Sequence, residues 1–190
     1  MNTEATLIDF NLLVSTYRGC ENGAIQELKS LLNDIGDSEP LIEKTRMSGL
    51  IRAKTALEPV QVVARFRIML KEQPWIFRYI LRAVPVMKIV RADLDEIRRA
   101  AGELEAAIGL GETFRITLEK RGSALRSQEI IESAASTIHR RVDLSNPDRI
   151  VLVEILGNQA GLSLIDPTAI FSSVKEKRAL WQETSQNSDL

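Results

Sequence analysis

Residues 113–138 read TFRITLEKRGSALRSQEIIESAASTI, and their period changes midway. From Thr113 to Leu118 polar and apolar residues alternate, the signature of a strand with two unlike faces. From Ser127 onward Ile130 or Ile131, Ala134, Ala135 and Ile138 recur at helical spacing, with Ser127 placed to cap the helix. Between them stand Lys120, Arg121 and Gly122, two cations followed by a residue that tolerates an unusual turn. The junction admits two readings. It is either a Ser-capped turn with solvated cations, or a cradle in which cations and the free amides of a helix N-terminus meet a phosphate.

Working outward, Asn146 and Pro147 mark a turn, and Ile150–Leu156 and Leu162–Ile165 form an antiparallel pair joined through GNQAG. Upstream, Asp93 and Glu96 have capping-box spacing ahead of a helix whose apolar face is Leu94, Ile97, Ala101, Leu104 and Ile108. Gly109 and Gly111 end it, and this second unit begins after Pro85. The first unit has a short strand at Phe10–Ser15, and a helix from Glu21 carrying Ala24, Ile25, Leu28, Leu31, Leu32 and Ile35 on one face. Strands at Leu41–Arg46 and Leu50–Thr55 flank a tight turn at Ser48 and Gly49, and a helix starts at Pro59. A last strand is predicted over Ile76–Arg82, with Arg78 and Arg82 on one face and Phe77, Tyr79 and Leu81 on the other. The order strand, helix, strand, strand, helix, strand is the ferredoxin-like arrangement.

Composition places the 190-residue chain among globular proteins, at 44% hydrophobic and 27% charged residues. The acidic N-terminus and the lack of a long uncharged apolar run predict a cytoplasmic protein without a membrane segment. The net charge of −1 conceals an uneven distribution. Residues 1–43 carry two cations against eight acids, whereas residues 44–92 carry eleven cations against Glu58 and Glu72. Such a basic middle is either a polyanion site or a solvated face paired with the acidic segments.

The residues for most catalytic chemistry are missing. A single cysteine, Cys20, and a single histidine, His139, cannot build a Cys/His zinc cluster. The GLG of residues 109–111 lacks a third glycine and leads into a strand, and neither a phosphate loop nor a GxSxG elbow occurs. RAAGEL, from Arg99, approaches an acetyl coenzyme A loop but ends in Leu104 and lies within a helix. His139, in the triplet HRR, reads as a helix-end cation. Glu103 and Glu105, two apart on a helix, point to different faces and make no dyad. Neither metal nor cofactor is expected, and aromatic residues, at 5%, suggest no exposed stacking cluster.

Three blocks together resemble the THUMP-domain proteins: RYILRAVPV (78–86), TFRITLEKRG (113–122) before a helix, and VDLSNPDRIVLVEI (142–155) followed by LSLI (162–165). They are more closely similar to the stand-alone THUMP proteins that serve as tRNA-binding adaptors for N4-acetylcytidine formation. The resemblance spans about Arg78 to Ile165. It implies an α+β protein with an N-terminal ferredoxin-like domain (1–84), a THUMP domain with a C-terminal extension (85–182) and a disordered tail (183–190). It also implies a non-enzyme that binds tRNA, including the 3′ acceptor end, and presents it to a separate RNA cytidine acetyltransferase. The chain ends at Leu190, which suggests no room for a catalytic domain. The alternatives are a specificity subunit for thiolation or methylation, and a small enzyme with an unrecognised site. The resemblance carries Arg78, Arg82, Lys120 and Arg121 as RNA-binding positions, with Asn146 and Pro147 structural. Lys88, Arg115 and Arg126 join the RNA-binding candidates, and the junction is then expected to bind phosphate.

Overall fold

The computed structural model describes residues 7–187. The chain separates into two units, and the expected α+β class is what it adopts. In the first unit, β1 (Leu12–Ser15), α1 (Glu21–Asp34), β2 (Leu41–Lys44), β3 (Leu50–Lys54), α2 (Pro59–Glu72) and β4 (Arg82–Pro85) follow one another. The strands pair antiparallel in the order β4-β1-β3-β2, as the ferredoxin-like arrangement requires. α1 buries Ala24, Leu28, Leu31 and Leu32, and α2 buries Val62, Val63, Phe66 and Leu70. Pro59 opens α2, and the Glu58 carboxylate caps it by accepting the Gln61 N–H at 2.9 Å.

The strand predicted over Ile76–Arg82 is not there; a 3-10 turn at Pro74–Ile76 and an irregular segment precede β4. Phe77 and Ile80 are the buried residues, three apart rather than two. The backbone finds its partner in a side chain: the Glu27 carboxylate of α1 accepts the N–H groups of Arg78, Tyr79 and Ile80, each at 2.9 Å. A carboxylate that satisfies three consecutive donors replaces a ladder neighbour.

In the second unit, β5 (Lys88–Arg91), α3 (Leu94–Glu105), β6 (Thr113–Arg121), α4 (Ser127–Ala135), β7 (Arg141–Val142), β8 (Arg149–Leu156) and β9 (Gln159–Ile165) build a sheet of order β5-β9-β8-β6-β7. β6 runs parallel to β8 with α4 as the crossover, and β8 and β9 form the expected hairpin about Gly157 and Asn158. Asp93 caps α3, its carboxylate accepting the Asp95 and Glu96 N–H groups. Ile97, Ala101, Ile130 and Ala134 of the helices pack with Phe114, Val151, Val153 and Leu162 of the sheet.

After β9 the chain rejoins the first unit, which the sequence pattern does not announce for its C-terminal extension. β10 (Phe171–Ser172) pairs with β4, and α5 (Ser173–Asn187) follows. Phe171 stacks against Phe66 and Phe77 with ring centroids 5.9 and 4.9 Å away. The Arg67 guanidinium donates to the Ile170 carbonyl at 2.8 Å and to Glu176 at 3.1 Å. Of the tail expected at 183–190, residues 183–187 are helical, and 188–190 lie outside the described residues. No helix among the described residues is long and apolar enough to cross a membrane.

Candidate nucleic-acid interface

At the end of β6 the structure departs from the sequence-based expectation in two respects. Ser127 is the first residue of α4 and not its cap; Arg126 holds the cap position, and no side chain there accepts a helix N–H. The turn is instead organised from the strand side. Lys120 Nζ donates to the Leu125 carbonyl at 2.6 Å, Ser123 Oγ accepts the Leu125 N–H at 3.3 Å, and Gly122 takes the positive φ of 66° that the reversal needs. Lys120 and Arg126 are exposed beside the first turn of α4.

Arg121 faces elsewhere, because adjacent strand residues point to opposite sides of a sheet. Its guanidinium donates to Glu154 of β8 at 2.8 Å and lies 3.6 Å from Glu119. Glu154 is 1% exposed, so Arg121 balances a carboxylate buried in an otherwise apolar strand. The acid stands in the middle of VLVEIL, and that position was its sequence signal.

The other basic candidates of this unit are held separately from the junction. Lys88 forms an ion pair with Glu103 of α3. Arg115 donates to the Leu144 carbonyl at 3.0 Å, in the loop that joins β7 to β8. In that loop Asp143, rather than Asn146, makes the side-chain turn: its carboxylate accepts the Ser145 and Asn146 N–H groups at 2.9 Å. Those bonds hold its pKa below the usual carboxylate range. Asp148 is likewise lowered, by the backbone and hydroxyl donors of Thr113 at 2.7 and 2.8 Å. Pro147 is buried between them.

Glu105 accepts the His139 N–H at 2.7 Å and the Arg140 guanidinium at 2.9 Å, which lowers its pKa chiefly through the His139 backbone bond. His139 and Arg140 thereby tie the end of α3 to the segment after α4. Glu103 and Glu105 diverge to different partners, as their spacing predicts. Among the described residues no three His, Cys, Asp or Glu side chains are grouped to hold a metal.

Arg78 and Arg82 belong to the first unit. Arg78 is exposed, with Nε 3.4 Å from the Trp75 carbonyl, and Arg82 is half-buried in β4. Part of the basic middle pairs with acids of other segments, since Arg52, Arg67, Lys88 and Arg91 pair with Glu43, Glu176, Glu103 and Glu96, all outside residues 44–92. The low aromatic content still leaves large rings at the surface. Tyr17, Trp75, Tyr79 and Trp181, which are both tyrosines and both tryptophans of the chain, are all exposed on this one unit.

The chain carries a THUMP domain, whose family model matches residues 91–165. An uncharacterized protein of Methanocaldococcus jannaschii is 23% identical over 171 residues, covering 87% of this chain and 44% of its own length. Among solved structures, TrmN from Thermus thermophilus superposes with a TM-score of 0.56 at 18% identity, over 82% of this chain and 45% of that one. A possible methylase from Clostridium difficile 630 does so with 0.54 at 16% identity, over 82% and 40%. A 4-thiouridine synthetase in complex with RNA and ATP does so with 0.52 at 15%, over 86% and 42%. At these identities the likeness establishes the fold. The chain spans less than half the length of each of these proteins. This corrects the expectation of a non-enzyme: the same two-unit fold occurs within longer chains that include a possible methylase and a synthetase.

Proposed function

We propose that this chain is the RNA-binding portion of a tRNA-modifying system, gripping tRNA through the β6–α4 junction. The observation that carries the reading is a THUMP domain in which Lys120 and Arg126 stand exposed beside a helix start with no side-chain cap. Clustered cations gain free energy by releasing counterions from RNA phosphates, and the free amides and dipole of a helix N-terminus add to it. Arg115, on the opposite face of β6 from Lys120 and beside the Leu144 carbonyl, would add a contact apart from the junction, as would Arg78, Arg82 and Lys88. Arg121 acts by positioning, through Glu154. The 3′ acceptor end of tRNA is the RNA element the resemblance implies.

Two chemistries compete for the step after binding. The blocks RYILRAVPV, TFRITLEKRG and VDLSNPDRIVLVEI favour presentation of tRNA to a separate RNA cytidine acetyltransferase for N4-acetylcytidine formation. The fold shared with a possible methylase and a 4-thiouridine synthetase favours methylation or thiolation, on the same chain or by a partner. Binding is tested by titrating tRNA at several salt concentrations against the wild type and Lys120→Gln/Arg126→Gln. Each lost phosphate contact lowers the salt slope by about 0.7–0.9; equal affinities and slopes remove the junction from the site. Nucleoside mass spectrometry of tRNA then separates the chemistries. N4-acetylcytidine appearing only when chain, acetyltransferase, acetyl coenzyme A and ATP are all present supports the first. A methylated or thiolated nucleoside supports the second.

A further inference from the structure

The segment Phe77–Leu81 is fixed from two sides. On one, Glu27 of α1 holds three of its amides. On the other, Ser173 Oγ donates to the Ile80 carbonyl at 2.6 Å, the Ser173 N–H to the Leu81 carbonyl at 3.1 Å, and Lys177 Nζ to the Phe77 carbonyl at 2.7 Å. Tyr79 lies directly on α1: a Cβ at Gly23 would stand 2.9 Å from its ring, so only glycine admits this approach. The returning α5 thereby borders a groove of about 330 Å³ lined by Tyr17, Arg78, Leu81, Lys177, Arg178 and Trp181, among others. Lys177 and Trp181 are four residues apart on α5, with Arg178 between them, so the three share one side of the helix.

Three features identify the occupant. The groove offers large aromatic faces, since Trp181 is 73% and Tyr17 54% exposed. It is rimmed by Arg78, Lys177 and Arg178, and no carboxylate is among its lining residues. Its walls are pinned by the hydrogen bonds of Glu27, Ser173 and Lys177, so that little ordering remains to be done on binding. Flat π surfaces beside cations are complementary to a nucleobase with its phosphate, because every base has a face to stack and each nucleotide carries one negative charge. We infer that this groove binds an unpaired nucleotide of the RNA, its base stacked on Trp181 and its phosphate met by Arg78 and Arg178. The inference rests on the proposed RNA-binding function and adds a second, base-directed contact on the ferredoxin-like unit, outside the THUMP domain.

The test compares wild type, Trp181→Ala, Trp181→Phe and Arg178→Gln, all in the full chain. The probes are tRNA, a short single-stranded oligoadenylate and the same oligomer made abasic. Loss of one stacked base weakens binding roughly 5- to 150-fold. Trp181→Ala should therefore lose this much affinity for tRNA and oligoadenylate with an unchanged melting temperature, and Trp181→Phe should recover most of it. Arg178→Gln should reduce the salt slope by about 0.7. With Trp75→Phe leaving Trp181 as the reporter, oligoadenylate should quench tryptophan emission and the abasic oligomer should not. If Trp181→Ala binds tRNA and oligoadenylate like wild type while Lys120→Gln/Arg126→Gln is weakened, the groove is not an RNA site. The inference is then overturned in favour of a protein-docking surface, and the proposed RNA-binding function stands. Equal quenching by the abasic oligomer would overturn the stacking assignment. A wild type that binds neither RNA would overturn both readings.

Discussion

Arg121→Ala should unfold the protein more readily instead of merely weakening RNA binding. The guanidinium sits 2.8 Å from a Glu154 carboxylate that is 1% exposed, while its own side chain is 30% exposed. Removing one partner of a fully buried pair costs about 3–5 kcal/mol, and a hydrogen bond to a charged group is worth about 1.5–3 kcal/mol. Partial solvent access to Arg121 lowers the first figure, so about 2–4 kcal/mol is expected. At about 2–4 °C per kcal/mol for a chain of this size, the melting temperature should fall by roughly 5–15 °C. The assay is a double-mutant cycle followed by urea and thermal unfolding. Arg121→Met, measured beside Arg121→Ala, and Glu154→Leu each remove one charge, and Arg121→Met/Glu154→Leu removes both. The double variant should recover much of the loss, because an apolar pair leaves no buried charge without its partner. tRNA affinity at a temperature where the variants stay folded should change little. An unchanged unfolding midpoint for Arg121→Ala, together with a salt slope lowered by about 0.7–0.9, would refute the reasoning and make Arg121 a phosphate ligand.

Two other outcomes can be measured on the same unfolding instruments. Glu21 accepts the Gly49 N–H at 2.5 Å, and with the amide of Gly19 and the hydroxyl of Ser48 this lowers its pKa from 4.5 to about 2; the stability it contributes is complete above pH 4.5 and lost as pH falls toward 2. Glu21→Gln should therefore be less stable than wild type near neutrality and converge with it near pH 2, and parallel pH profiles would remove the assignment. Phe171 is fully buried against Phe66 and Phe77, so Phe171→Ala should cost about 3–5 kcal/mol; unchanged urea unfolding would mean that β10 and α5 do not complete the first core.

Regular periodicity was legible in the sequence wherever one element packs its own face. The apolar positions of α1, α2 and α3 follow helical spacing, and Thr113–Leu118 alternates as β6 does, so order and class could be read without coordinates. Failures occurred where a remote residue decides the local backbone. Ile76–Arg82 alternates like a strand, yet Glu27, about fifty residues earlier, takes up its amides, and no local pattern announces that. Ser127 looked like a cap, but Lys120 binds the Leu125 carbonyl, and Arg126 rather than Ser127 then holds the cap position. The return of the C-terminal segment depended on Phe171 completing an aromatic trio with two rings about a hundred residues away. A low overall percentage of aromatic residues does not fix where in the fold they lie. All four lie on one unit, and two of them, Tyr17 and Trp181, line a single groove.

The pair Lys120–Arg121 shows why a basic motif on a strand should not be counted as two ligands. The pleat sends the two side chains to opposite faces. One face belongs to the turn into α4, where Lys120 stands exposed and Arg126 joins it. The other meets β8, where Glu119 is in register with Glu154 and Arg121 lies two residues further on the same side. A K/R pair at the end of a strand therefore divides its work between holding the sheet and presenting charge. The pair predicts one phosphate contact instead of two. In the proposed interface Arg126, outside the pair and beyond the strand, would supply the second.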